Sequence, residues 1–263
     1  MSRTKIEEFS IEVSGGSVYV KKWLPETIST DVPLVLLHDS LGSVDLWKDF
    51  PLVLAESLSR CVIAYDRLGF GKSDSRDALP SFEFIEEEAI KYFPKIKENL
   101  SLKSYVIFGH SVGGGMAVNI AASDPDCRAL ITVSAQAFVE DITIKGIEDA
   151  KQLFKRSGQL ERLEKWHGSK ANWVLHAWTD IWLSADFANW NLQPSISKVS
   201  CPVLVIHGEN DEFGSSKFPE FISTNTAGHS TMLLLNNCGH MPHKEKPREV
   251  NDAIEKFLGE VKA

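Results

Sequence analysis

Two hydrophobic periods divide this chain. Near the N-terminus Phe9, Ile11 and Val13 alternate with polar neighbours, Ser14-Gly15-Gly16 supplies a turn, and Val18 and Val20 resume the alternation toward Trp23. A period of two puts every second side chain on one face, so this segment predicts an antiparallel hairpin with one side covered. Beyond it the alternation gives way to unbroken apolar runs. These are Val32-Pro33-Leu34-Val35-Leu36-Leu37, Cys61-Val62-Ile63-Ala64-Tyr65, Tyr105-Val106-Ile107-Phe108, Ala129-Leu130-Ile131-Thr132-Val133, Pro202-Val203-Leu204-Val205-Ile206 and Met232-Leu233-Leu234-Leu235. Strands buried on both faces read this way. Helical patterns at 46–59, 82–98, 111–122, 216–224 and 246–258 fall between or after them. Such alternation predicts an α/β fold: a mostly parallel central sheet, an antiparallel N-terminal edge, and helices on both faces.

One interval breaks the rhythm. Between Val133 and Pro202 no strand is readable, but helical segments recur at 144–157, 159–166 and 170–183. The pattern predicts a small helical cap inserted after the sixth strand, at 138–197, with a core made of 1–137 and 198–263. Five of the seven tryptophans lie in the insertion. Val174, Trp178 and Trp182 recur at i, i+4, i+8 with Trp173 beside them, while His176 and Asp180 lie off that stripe. An aromatic stripe either docks its helix on the body or faces a pocket. Trp173, Trp178 and Trp182 are therefore candidate substrate contacts.

Composition narrows the function classes. In 263 residues the formal net charge is −8 and no run of Lys and Arg occurs, which argues against a nucleic-acid partner. No apolar stretch reaches membrane-spanning length, and Met1-Ser2-Arg3-Thr4-Lys5-Ile6 carries no apolar secretory core. Cys61, Cys127, Cys201 and Cys238 show no metal-ligand spacing and read as reduced thiols, so a cytoplasmic location without metal or cofactor is expected.

The chemistry centres on Gly109-His110-Ser111-Val112-Gly113-Gly114, where an apolar strand ends in G-x-S-x-G and a small-residue helix follows. A sharp strand-to-helix turn lifts the serine hydroxyl off the sheet and leaves it at a helix N-terminus. Ser111 is the candidate nucleophile. His240, in the loop after the last strand, is the candidate base, with His243 its competitor. Asp211, in Gly208-Glu209-Asn210-Asp211, is the candidate carboxylate that orients it; a short side chain there suits a rigid hydrogen bond. An oxyanion needs two backbone donors. Val112 supplies one, and Ser40, in His38-Asp39-Ser40-Leu41-Gly42, the other. Asp39 and His110, beside the site, are further candidate substrate contacts.

Together with Asp66-Arg67-Leu68-Gly69-Phe70-Gly71-Lys72-Ser73, these motifs resemble the α/β-hydrolase superfamily over essentially the whole chain. The resemblance is to serine-nucleophile members: small carboxylesterases, enol-lactonases and hydrolases that cleave carbon–carbon bonds of ring-fission diketones. It implies a nucleophile, acid and base at Ser111, Asp211 and His240, acting on a small-molecule ester or lactone through an acyl-enzyme. Carbon–carbon cleavage, acyl transfer and a ligand-sensing receptor with vestigial turnover stay open as alternatives. One departure stands out: Asp39 occupies the place where the family usually has Gly, which puts the loop's backbone geometry and the pocket's charge in question.

Overall fold

The computed structural model describes residues 4–261. Its strands are β1 (Lys5–Val13), β2 (Gly16–Leu24), β3 (Leu34–Leu37), β4 (Val62–Tyr65), β5 (Tyr105–His110), β6 (Cys127–Val133), β7 (Val203–Gly208) and β8 (Ser230–Leu235). They form one sheet in the order β1-β2-β4-β3-β5-β6-β7-β8. β1 and β2 pair antiparallel, β2 meets β4 antiparallel, and every later pairing is parallel.

The helices are α1 (Phe50–Ser57), α2 (Phe84–Glu87), α3 (Phe93–Asn99), α4 (Val112–Ser123), α5 (Asp141–Phe154), α6 (Gln159–His167), α7 (Ala171–Trp182), α8 (Gln193–Ile196), α9 (Lys217–Asn225), α10 (Pro242–Glu245) and α11 (Pro247–Val261).

The unbroken apolar runs have the cause their sequence implied. Val35, Leu37, Ile63, Ile107 and Val205 face one core with Phe93, Met116 and Ile120. Their alternates Leu34, Leu36, Val62, Val106, Phe108 and Ile206 face a second with Phe50, Leu54, Ile254 and Phe257. A strand with hydrophobic cores on both sides has no polar face to display.

Three expectations change. The N-terminal hairpin forms, but on β1 only Ile11 is buried, because β1 is the sheet's edge strand and lacks a neighbour on one side. β8 is likewise an edge strand, and its Met232 and Leu234 are exposed although the run looks like a central one. The helix expected over 82–98 is interrupted by a wider π turn at Glu88–Tyr92. Pro94, two residues beyond the turn, has no N–H to continue the regular ladder, which accounts for the change of register.

Between β6 and β7 the chain makes only helices. This excursion is cinched at its base: Phe138 bridges Asn191, and the Leu192 N–H donates to the Ala137 carbonyl at 2.8 Å. α8 packs back onto the body, where Ser195 Oγ donates to Asn119 Oδ1 at 2.6 Å.

Candidate active site

The parallel strands β5, β6 and β7 end on one rim, and the chain continues their ladder into the loops. Ser111 N–H donates to the Val133 carbonyl and Ser134 N–H to the Ile206 carbonyl, each at 2.9 Å. Ser111 is thereby held at φ 57°, ψ −126°, immediately before α4. A positive φ is costly for any residue with a Cβ, and it persists because the neighbours leave no other path. At Gly109 a Cβ would lie 2.1 Å from the Gly113 carbonyl oxygen; at Gly113 one would lie 2.4 Å from the Leu37 carbonyl oxygen. Two glycines thus let the serine turn close on itself and on the loop that carries Ser40.

The three residues from distant parts of the sequence meet in a hydrogen-bonded line. Ser111 Oγ lies 2.9 Å from His240 Nε2, and His240 Nδ1 lies 2.8 and 2.9 Å from the two Asp211 carboxylate oxygens. With Nδ1–H donating to the carboxylate, Nε2 is left as the acceptor for the serine hydroxyl. Asp211 is fixed in turn by the Phe213 N–H at 2.8 Å and by His207 Nε2 at 3.4 Å.

The electrostatics follow from this enclosure. Burial by itself would push His240 down, but the charge and hydrogen bond of Asp211 outweigh it and raise its pKa above the ordinary histidine value. Burial would raise Asp211, yet His240's charge and hydrogen bond bring it below the ordinary carboxylate value. His207 is pushed down by burial.

Hydrogen bonds to its backbone steady His240 from behind. The His240 carbonyl accepts from His110 Nε2 at 2.8 Å, and its N–H donates to Glu212 Oε2 at 3.3 Å. His110 is fully buried, so it supports His240 rather than lining the cavity. Its other ring nitrogen lies 3.3 Å from Asp39 Oδ2, and Asp39 Oδ1 accepts the Leu41 N–H at 2.8 Å. Burial opposes the Asp39 charge, but the hydrogen bond and charge of His110 hold this carboxyl far below its usual range. Asp39 is not among the described residues with positive φ, so the loop forms here without the conformation that glycine would permit. His243, the competing base, is buried in α10 against Trp47, Phe50 and His110.

Ser111 and His240 open into a cavity of about 240 Å³ that Asp39, Ser40, Trp178, Phe213 and Lys244 also line. Of the three candidate tryptophans only Trp178 reaches it. Trp182 is buried against Phe187 and Trp190, beside a far smaller void that Ser40 and Val112 share. Trp173 does not line this cavity; it packs on Phe70, and its indole N–H donates to the Ala78 carbonyl at 3.2 Å. The helical period puts Trp173 nearly a right angle away from the stripe, which turns it toward the loop at 69–78 instead.

Gln136 is the residue that sequence reasoning missed. Its side-chain amide lies 3.2 Å from Ser111 Oγ, in the loop leaving β6. Because the serine proton goes to His240, Gln136 serves as donor through Nε2. Its only signal in the sequence was its place just past the strand beside the serine turn.

Comparison with known proteins agrees with the architecture. The family model described as "Alpha/beta hydrolase family" matches residues 34–253. A proline iminopeptidase of Lactobacillus crispatus is 23% identical, with 88% of this chain and 91% of that protein covered. An (E)-2-((N-methylformamido)methylene)succinate hydrolase of Acinetobacter baylyi is 24% identical over 86% of this chain and 90% of its own. Among solved structures, a bacterial membrane phospholipase A superposes with a TM-score of 0.77 at 19% identity, covering 98% of this chain and 87% of its own. With a family match from β3 to α11 and the serine turn seated at the centre of its sheet, this chain belongs to the alpha/beta hydrolase family.

Proposed function

We propose that the protein is a serine hydrolase acting on esters or lactones of small to medium apolar or aromatic molecules. The observation that carries this reading is the unbroken line Asp211–His240–Ser111 ending in a cavity walled by Trp178, Phe213, Leu41 and Leu46. His240 takes the hydroxyl proton as Ser111 Oγ bonds to the substrate carbonyl carbon. The Val112 and Ser40 amides receive the oxyanion, an interaction worth about 3 kcal/mol per donor. His240 then returns the proton to the departing alkoxide, and water, deprotonated by the same imidazole, releases the acid and restores Ser111. The helical excursion over 138–197 acts as the lid, with Trp178 as its contact to substrate.

The test pairs covalent labelling with turnover. A fluorophosphonate probe labels the protein but not its Ser111→Ala variant, and a panel of p-nitrophenyl esters and lactones reports the preferred acyl group. Labelling that persists in the variant, or no turnover across the panel, would defeat the reading. The near-full-length match to a proline iminopeptidase supports a second possibility, release of an N-terminal residue. A prolyl anilide added to the panel separates it from ester cleavage.

A further inference from the structure

The charged groups of the cavity are unequally committed. Asp39 gives one oxygen to the Leu41 N–H and turns the other toward His110, and His240 is bound to Asp211. Lys244, in α10 four residues beyond His240, lines the same cavity. Among the described residues its ammonium has neither a hydrogen bond nor an ion pair, although the field of Asp39 reaches it. Lys244 is an exposed residue, yet the protein packed around its ammonium disfavours the charge and lowers its pKa, a cost that a bound anion would offset. Lys48, whose ammonium sits 3.6 Å over the Trp166 ring, adds a second positive field at Lys244. In a chain of net charge −8, an uncommitted cation lining the serine's cavity is not what the bulk composition would place there.

We propose that Lys244 is a specificity-determining residue that holds a carboxylate on the acyl part of the substrate while Ser111 attacks its ester or lactone carbonyl. One ammonium matches a singly charged carboxylate better than a doubly charged phosphate group. The cavity, at about 240 Å³, is small for a ligand pocket and suits a short acyl chain. Leu46, Trp178 and Phe213 line the same cavity and offer that chain apolar walls. The inference rests on the hydrolase reading of this cavity and narrows its substrate to short, carboxylate-bearing acyl compounds.

The experiment compares mono-p-nitrophenyl glutarate with p-nitrophenyl valerate, which differ at the far end of the acyl chain by a carboxylate. Lys244→Met should raise KM for the glutarate ester about tenfold relative to the valerate ester, the size expected for one partly exposed charge-assisted contact. Lys244→Arg should restore the preference. Equal changes for both esters, or none, would overturn the proposal. A binding arm makes the result independent of turnover: calorimetry of mono-p-nitrophenyl glutarate on Ser111→Ala, with and without Lys244→Met. Affinity that does not depend on Lys244 there also overturns it. Lys244-dependent binding without hydrolysis of either ester by the wild type would sink the ester reading and support the anion site.

Discussion

Replacing Asp211 by Asn tests the assembled site most directly, because the exchange changes charge with almost no change of shape. The Asp211 side chain is 1% exposed and lies 2.8 Å from His240 Nδ1. In the variant, the Asn oxygen in the place of Oδ1 can keep the Phe213 N–H bond and the 2.8 Å contact to Nδ1, while the NH₂ takes the place of Oδ2, 2.9 Å from the same ring nitrogen. Two losses follow. At an effective dielectric of about 20, a unit charge about 4 Å from the imidazolium contributes about 4 kcal/mol, close to three powers of ten. An NH₂ donor 2.9 Å from Nδ1 also disfavours a proton on that nitrogen and shifts the tautomer toward Nε2–H, which cannot accept the serine proton. Together they lower kcat/KM about 10³- to 10⁴-fold. The assay is p-nitrophenyl ester hydrolysis across a pH series, with thermal melting to verify the fold. In the wild type the acid limb lies above the ordinary histidine pKa, because Asp211 raises His240 and the base must be neutral to act. In the variant that limb moves to lower pH. A loss under about tenfold, or an acid limb that stays in place, would refute the assignment. Glu212, already bonded to the His240 N–H, would then be the next carboxylate to test.

Two further predictions concern the frame. Gly109→Ala places a Cβ 2.1 Å from backbone at Gly113, so the serine turn must open; a fall of about 3 kcal/mol in urea-unfolding stability is expected, and an unchanged midpoint would contradict it. His167, from the helical excursion, accepts the Gly71 N–H at 2.9 Å and donates to the Leu41 carbonyl at 3.0 Å. His167→Ala should cost about 2–3 kcal/mol, read as a lower melting temperature. Buried histidines make the fold acid-sensitive. Burial lowers the pKa of His38, His167, His207 and His243, so their contribution is complete above about pH 6.5 and is lost as pH falls toward their folded-state values. His240 runs the other way: its raised pKa contributes fully below about pH 6.5 and the contribution is lost as pH rises through the folded value. Among the histidines this is four against one, but burial also raises Asp66, Glu86 and Glu88, which gain stability on acidification and act with His240. The histidine share is read by difference: the melting temperature of His167→Ala should fall less on acidification from neutral pH than that of the wild type, and an equal fall would refute it.

Much of this protein is written in short-range pattern. Runs such as Leu34–Leu37 and Val203–Ile206 have no polar alternates, and only a strand covered on both faces satisfies that. Gly109 and Gly113 around Ser111 signal a turn that no larger side chain allows, and the parallel strands carry Ser111, Asp211 and His240 to one rim in that order. The edge strands were less legible, because exposure depends on which neighbour a strand lacks. Met232 looks as buried as Val203 until the sheet order puts β8 last. The cavity wall was least legible of all. Trp173 and Trp178 sit on the same helix, yet only Trp178 faces Ser111, since helix rotation is set by what the whole helix packs against. Gln136, His110 and Lys244 belong to no local motif. Their distances to Ser111, His240 and the cavity exist only once strands far apart in the chain lie side by side, and a hydrogen bond of about 3 Å is a statement about three-dimensional space that no spacing along one chain can contain.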